Sequence, residues 1–370
     1  MARFSRRSFM QLSAVASAAA VFRGVGEAQM AAAARPAVHS ANAVIIDSNE
    51  NPLGPCQAAR DAVTGMIPQG GRYQFNLTND LATLFARTEG LDHEWVWPAV
   101  GSTPPLGLTV LAFTSSKRSY VTADPGYEQG MNLAASVGVR VVKVPLTSTY
   151  AHDVKAMLAA APDAGLFYIA SPNNPTGTLT PHSDIEYLVA NKPKDSIVLV
   201  DEAYIHFAET AQSAIDLVKA GKDVIVLRTF SKIYGMAGLR CGFIIARPDL
   251  MQKVMTRNGW NPMPVTGVVA AMASLNDAQL IPERRRINSE IRQQTFQWLD
   301  RNGFSYIPSE SNCFMLDTKR PGQQVREAMA KENVLVGRIW PVMPTYVRVT
   351  VGTQGEMERF QAAFQKVMKA

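Results

Sequence analysis

The chain has 370 residues, with 37 Lys and Arg against 31 Asp and Glu and a formal net charge of +6. Five arginines and one glutamate fall within residues 1–35, so little net charge is left for the remainder, and no nucleic-acid footprint is implied. Five scattered histidines and three cysteines (Cys56, Cys241, Cys313) offer no His-Glu-x-x-His or paired-cysteine spacing, which argues against a metal site and a rich disulfide framework.

In chain order, the first signal is Arg3 with Ser5-Arg6-Arg7-Ser8-Phe9-Met10, followed by the small, apolar run Leu12 to Val21. This is similar to a twin-arginine (Tat) export signal, with cleavage expected between Ala28 and Arg35. The apolar part is shorter than the roughly 20 residues of a spanning helix. A periplasmic protein, delivered by the Tat machinery and without a stable membrane span after processing, is therefore expected.

Beyond the leader, strand and helix patterns alternate without a low-complexity linker or repeat, which predicts an α/β fold with a mainly parallel central sheet in a large unit over 70–247. Asp47-Ser48-Asn49-Glu50-Asn51-Pro52 is a polar opening segment, and Gly70-Gly71-Arg72-Tyr73 a glycine turn. Val100-Gly101-Ser102-Thr103-Pro104-Pro105 reads as a glycine turn opening a helix, since proline is favoured in the first turn, where free N–H groups make an anion site.

Four junctions follow. Asp124-Pro125-Gly126-Tyr127 ends the strand-like Ser119 to Thr122; Ser171-Pro172-Asn173-Asn174-Pro175-Thr176-Gly177 ends the apolar Gly165 to Ala170. Asp201-Glu202-Ala203-Tyr204 ends Ile197 to Val200, and Thr229-Phe230-Ser231-Lys232 ends Val224 to Leu227, with Arg240 eight positions later. Buried parallel strands read as continuous apolar runs, and open α/β sheets bind ligands at strand carboxyl ends. In the C-terminal part, helices are expected over Leu250 to Leu275, Pro282 to Arg301 and Gly355 to Met368, with strands over Ser311 to Asp317 and Tyr346 to Val351.

With these junctions in order, the chain resembles the fold-type I pyridoxal-phosphate aminotransferases (class I/II), most closely their histidinol-phosphate aminotransferase branch, from about Ile46 to the C-terminus. The resemblance implies a smaller α+β unit formed by residues 36–69 and 248–370, pyridoxal 5'-phosphate as cofactor, amino acid and 2-oxo acid as substrates, and a homodimer. It implies that Lys232 binds the cofactor aldehyde covalently and later moves a proton, while Asp201 keeps the ring nitrogen protonated. Asn174 and Tyr204 are implied at the ring oxygen, and Tyr127 against the ring face. Gly101, Ser102, Thr103, Thr229, Ser231 and Arg240 are implied at the phosphate, with Tyr73 reaching a neighbouring subunit's phosphate. Arg348, in Tyr346-Val347-Arg348-Val349, resembles the guanidinium fork that grips the substrate α-carboxylate; Asn51 and Arg338 are further substrate-side expectations. The same cradle serves decarboxylation, racemisation or oxygen-dependent oxidation, because the cofactor carries the hard step and the protein selects the bond. A non-catalytic periplasmic binder is the remaining alternative, against which the intact Lys232 argues.

Overall fold

The computed structural model describes residues 42–259 and 262–369, so the expected export signal lies outside the described residues. The strands are β1 (Val44–Ile46), β2 (Val96–Ala99), β3 (Ser119–Asp124), β4 (Val141–Pro145), β5 (Ala164–Ala170) and β6 (Ile197–Asp201). They continue as β7 (Val224–Thr229), β8 (Gly242–Ala246), β9 (Ser305–Ile307), β10 (Cys313–Asp317), β11 (Val334–Val336) and β12 (Tyr346–Thr350).

Seven strands form one sheet in the order β2-β8-β7-β6-β5-β3-β4. All contacts between β3, β4, β5, β6 and β7 are parallel, and β8 runs antiparallel to both of its neighbours. Every residue of β5, β6, β7 and β8 is buried, which explains their largely apolar sequences, broken only at the polar ends of β6 and β7: helices cover both faces. Alternation survives beneath the apolar run, because successive side chains point to opposite faces. Phe167, Ile169, Val198, Val200, Val224 and Val226 feed one core, and Leu166, Tyr168, Ile197, Leu199, Ile225 and Leu227 feed the other.

The parallel register sets one row of strand ends, with Ala170 opposite Asp201 and Asp201 opposite Leu227. Because β8 is antiparallel, its first residue, Gly242, pairs with both Thr229 of β7 and Ala99 of β2. The Val100-Gly101-Ser102 turn therefore arrives at the edge that carries Thr229 and Lys232. The approach requires glycine: a Cβ on Gly242 would lie 2.6 Å from the Arg228 carbonyl oxygen and 2.8 Å from the Gly101 carbonyl carbon.

A three-stranded antiparallel sheet, β12-β10-β9, and a parallel pair, β1-β11, share a third core with helices Leu280–Arg301, Gly322–Lys331 and Gln354–Lys369. The single helix expected over Leu250 to Leu275 is instead two, Pro248–Met255 and Val265–Leu275. Pro262 and Pro264 explain the break, since proline in a helix interior removes a hydrogen bond and clashes with the preceding turn. Both helices pack into the cores of the seven-stranded sheet, through Leu250, Met251 and Val254 and through Val268, Ala270 and Ala271, although the sequence grouped them with the C-terminal unit. Among the described residues no helix is long and apolar enough to cross a membrane.

Candidate active site

A cavity of about 750 Å³ opens at the shared strand edge and is closed from the other side by the segment after β1, by β11 and by β12. Lys232, in the turn after β7, lines it; its Nζ lies 3.5 Å from the Ser48 carbonyl oxygen and 5.4 Å from the centroid of the Tyr204 ring. Asp201, the last residue of β6, is 5% exposed. Its Oδ2 accepts from the Tyr168 hydroxyl at 2.9 Å and its Oδ1 from the Ala203 N–H at 3.1 Å. Burial pushes the carboxyl up to about 6, opposed by these two hydrogen bonds and by the charge of Lys232. A buried acid held by two donors and facing a lysine-lined cavity is suited to pair with a cationic ring nitrogen.

Behind this acid, Glu202 is buried and accepts from Arg228 Nε at 2.6 Å, from the Ala214 N–H at 2.6 Å and from Ser213. Arg228 sits one residue before Thr229, so the ion pair fastens the ends of β6 and β7 together beneath the cavity floor. Tyr204 follows, and its hydroxyl accepts from Asn49 Nδ2 at 3.1 Å.

At the other end of the cavity, donors converge as they would around an anion. Ser102 precedes helix Thr103–Phe113 without a side-chain cap, leaving the first N–H groups of that helix for another acceptor. Thr229 and Ser231 hydroxyls lie 2.9 Å apart. Arg240, in a left-handed conformation (φ 56°), donates to the Ala237 carbonyl at 2.8 Å and the Val100 carbonyl at 3.2 Å, which aims its guanidinium across Gly101. A Cβ on Gly101 would collide with that guanidinium, and Gly101 itself has φ 85°. Tyr127 lines the cavity with its hydroxyl 3.4 Å from Thr103 Oγ1.

On the opposite wall, Arg348 of β12 is 2% exposed and donates to Asn174 Oδ1 at 2.8 Å and to the Asp47 carbonyl at 2.6 Å. Arg338 also lines the cavity; it is paired with Glu128 and lies 4.1 Å over the buried Trp340 ring. Of the expected residues, Asn51 and Tyr73 are not brought to this cavity, and Gly101 sits between the lining Val100 and Ser102 without lining it itself. Asn51 turns its amide to the Ile233 carbonyl at 2.9 Å and lines a neighbouring pocket, while Asp47, Ser48 and Glu50 line the main one. Tyr73 is 58% exposed and stacks on Phe75 at 5.3 Å. Sequence reasoning missed Tyr168, Glu50, Gln129 and Glu128. Tyr168 looked like one more apolar strand residue, and Glu128 and Gln129 follow Tyr127 without a pattern of their own.

The donor set fits pyridoxal phosphate: an acid at one end, an anion cradle that a Cβ at Gly101 would fill at the other, and a lysine between. The profile described as aminotransferase class I and II matches residues 41–364. A histidinol-phosphate aminotransferase from Symbiobacterium thermophilum is 33% identical over 329 residues, covering 88% of this chain and 90% of the relative. An aromatic amino acid aminotransferase from Cutibacterium acnes is 32% identical, covering 90% and 95%. Among solved structures, histidinol-phosphate aminotransferase from Sinorhizobium meliloti in complex with pyridoxal-5'-phosphate superposes with a TM-score of 0.81 at 26% identity, covering 88% of this chain and 90% of that one. The chain therefore belongs to the class I and II aminotransferases.

Proposed function

We propose that this aminotransferase works in the periplasm as a homodimer, moving an amino group between an amino acid and a 2-oxo acid at the cavity built by Lys232, Asp201 and Arg348. The observation that carries the reading is the convergence of these three side chains from β7, β6 and β12 on one cavity. Pyridoxal phosphate supplies the electron sink that makes the substrate α-hydrogen acidic. Asp201 pairs with the protonated ring nitrogen. Ser102, Thr103, Thr229, Ser231 and Arg240 hold the phosphate, and Tyr127 packs against the ring. Asn174 and Tyr204 donate to the ring oxygen. Lys232 would hold the cofactor aldehyde and take up the proton that leaves the substrate α-carbon. Arg348 presents two parallel donors to the α-carboxylate, which fixes the orientation of the α-carbon and so the bond that breaks.

The relatives named above act, by name, on histidinol phosphate and on aromatic amino acids, so a single-turnover screen should span both classes and the remaining amino acids. The productive substrate is expected to yield its 2-oxo acid and the amine form of the cofactor under anaerobic conditions, and Lys232→Ala to yield neither while retaining cofactor. Release of carbon dioxide, or strict dependence on oxygen, would move the assignment to decarboxylation or oxidation. What supports export is the basic twin-arginine start ahead of a short apolar run. Arg6→Lys together with Arg7→Lys is expected to leave active enzyme in the cytosol; unchanged periplasmic activity in that variant would point to another route.

A further inference from the structure

We infer that Tyr168 is a positioning residue: its hydroxyl fixes the Asp201 carboxylate and keeps the proton of the acid–cofactor pair on the ring nitrogen. The inference rests on reading the cavity as a pyridoxal-phosphate site.

Tyr168 sits on β5 opposite Leu199, two residues before the pair Ala170–Asp201, so it shares a sheet face with Asp201 and reaches it diagonally. Its ring is 1% exposed and stacks on Tyr120 with centroids 6.2 Å apart. Phenylalanine would satisfy that packing. A phenol buried in a strand needs a partner for its O–H, and the partner here is Asp201 Oδ2 at 2.9 Å. The Ala203 N–H occupies the other oxygen at 3.1 Å. Two donors on two oxygens fix the plane of the carboxylate, which a single hydrogen bond would leave free to rotate.

The second effect concerns where a proton resides. When a ring nitrogen pairs with Asp201, two bases compete for one proton, and burial favours the neutral acid. Charged and titratable groups face this carboxylate from each side: Lys232 from the turn after β7, Glu202 from the residue that follows, Tyr120 from β3 and Tyr168 from β5. Lys232 stabilises the carboxylate but has other work, at the cofactor aldehyde and then at the substrate α-proton, and Glu202 opposes it. The Tyr168 hydroxyl is a neutral donor that stabilises the ionised acid more than the neutral one. Donation to the carboxylate lowers its basicity, so the proton remains on the ring nitrogen, where it draws electrons.

The test is titration of the apoprotein with pyridoxal phosphate from pH 5 to 9, for wild type, Tyr168→Phe, Asp201→Asn and the double variant. Loss of a hydrogen bond to a charged group predicts about tenfold weaker binding in Tyr168→Phe near pH 7.5. The acid-side fall in affinity should move upward by about one pH unit, the equivalent of that tenfold change. In the Asp201→Asn background the same substitution should cost nothing further, and kcat should fall more than KM changes. Tyr120→Phe, which removes a neighbouring hydroxyl that donates no hydrogen bond to Asp201, should behave as wild type. Unchanged affinity and pH profile in Tyr168→Phe would overturn the inference, as would an equal loss on top of Asp201→Asn, or loss of the fold, either of which would assign the tyrosine to packing. A wild-type protein that binds no pyridoxal phosphate would instead remove the site reading itself.

Discussion

At the scale of single residues, the cavity trades stability for chemistry, and Asp201 shows the sign of that trade. Its carboxyl is pushed up to about 6 by burial, above an unfolded value of 3.8. Between those two values the folded apoprotein binds more protons than the unfolded chain, so this group's contribution to stability falls as pH rises through that window and stays unfavourable above it. Asp201→Asn is therefore expected to stabilise the apoprotein by roughly 1–3 kcal/mol at pH 7, read from urea unfolding, while weakening pyridoxal-phosphate binding. Below about pH 6 the native acid is neutral and can no longer pair with a ring cation without releasing a proton, so wild-type cofactor affinity should decline there and Asp201→Asn should lack that decline. If the variant unfolds at lower urea than wild type at pH 7, the carboxylate is a stabilising structural group and this account of it fails.

At the scale of elements, the strand ends were legible because each couples a continuous apolar run to a short polar turn, and both halves of that pattern have physical causes: two-sided burial and the need for functional groups at the open edge. The pieces that escaped notice lack one half. β1 and β11 are three residues each, too short to show a period, and Tyr168 points its hydroxyl along the sheet from inside a run that reads as core. The helix expected across Leu250 to Leu275 was drawn through prolines because its flanking segments are both apolar. Asn51 was expected in the cavity, yet its amide is spent on the Ile233 carbonyl, and sequence gives no means of telling which way a polar loop residue turns. Close approach of elements, by contrast, leaves a readable trace in glycine. Gly101→Ala forces a left-handed φ of 85° onto a residue with a Cβ and pushes aside the Arg240 guanidinium. It should cost about 1–2 kcal/mol in unfolding free energy, the usual strain of an L-residue there, and weaken cofactor binding at least tenfold by displacing the phosphate-side arginine. Equal losses for pyridoxal phosphate and for pyridoxal lacking the phosphate would show that Arg240 does not serve the phosphate.

At the scale of the whole molecule, the exposed apolar side chains are unevenly placed. Ile67, Tyr73 and Phe75 are 63%, 58% and 57% exposed within nine residues of chain, and two of them stack on each other in the open. Isolated exposed apolar residues need no explanation, whereas a contiguous cluster marks an interaction surface. The same segment carries the tyrosine expected at a neighbour's phosphate, so in the proposed homodimer one surface would serve two ends: apolar area to hold a second copy and a phenol to complete its cradle. The two roles separate by substitution. Tyr73→Ala with Phe75→Ala removes the stacked pair and should shift sedimentation at micromolar concentration toward a monomer with weakened cofactor binding. Tyr73→Phe keeps the ring and should leave the dimer intact while still weakening pyridoxal-phosphate affinity, by about three- to tenfold for one lost hydrogen bond. Mixing Tyr73→Phe with Lys232→Ala protomers sharpens the reading, because in a mixed dimer the functional lysine sits beside an intact tyrosine from its partner and cofactor retention at that site should recover. A wild-type chain that sediments as a monomer with full activity would leave the exposed aromatic pair without this role, and a dimer in which Tyr73→Phe binds cofactor as tightly as wild type would keep the interface but remove the shared cradle.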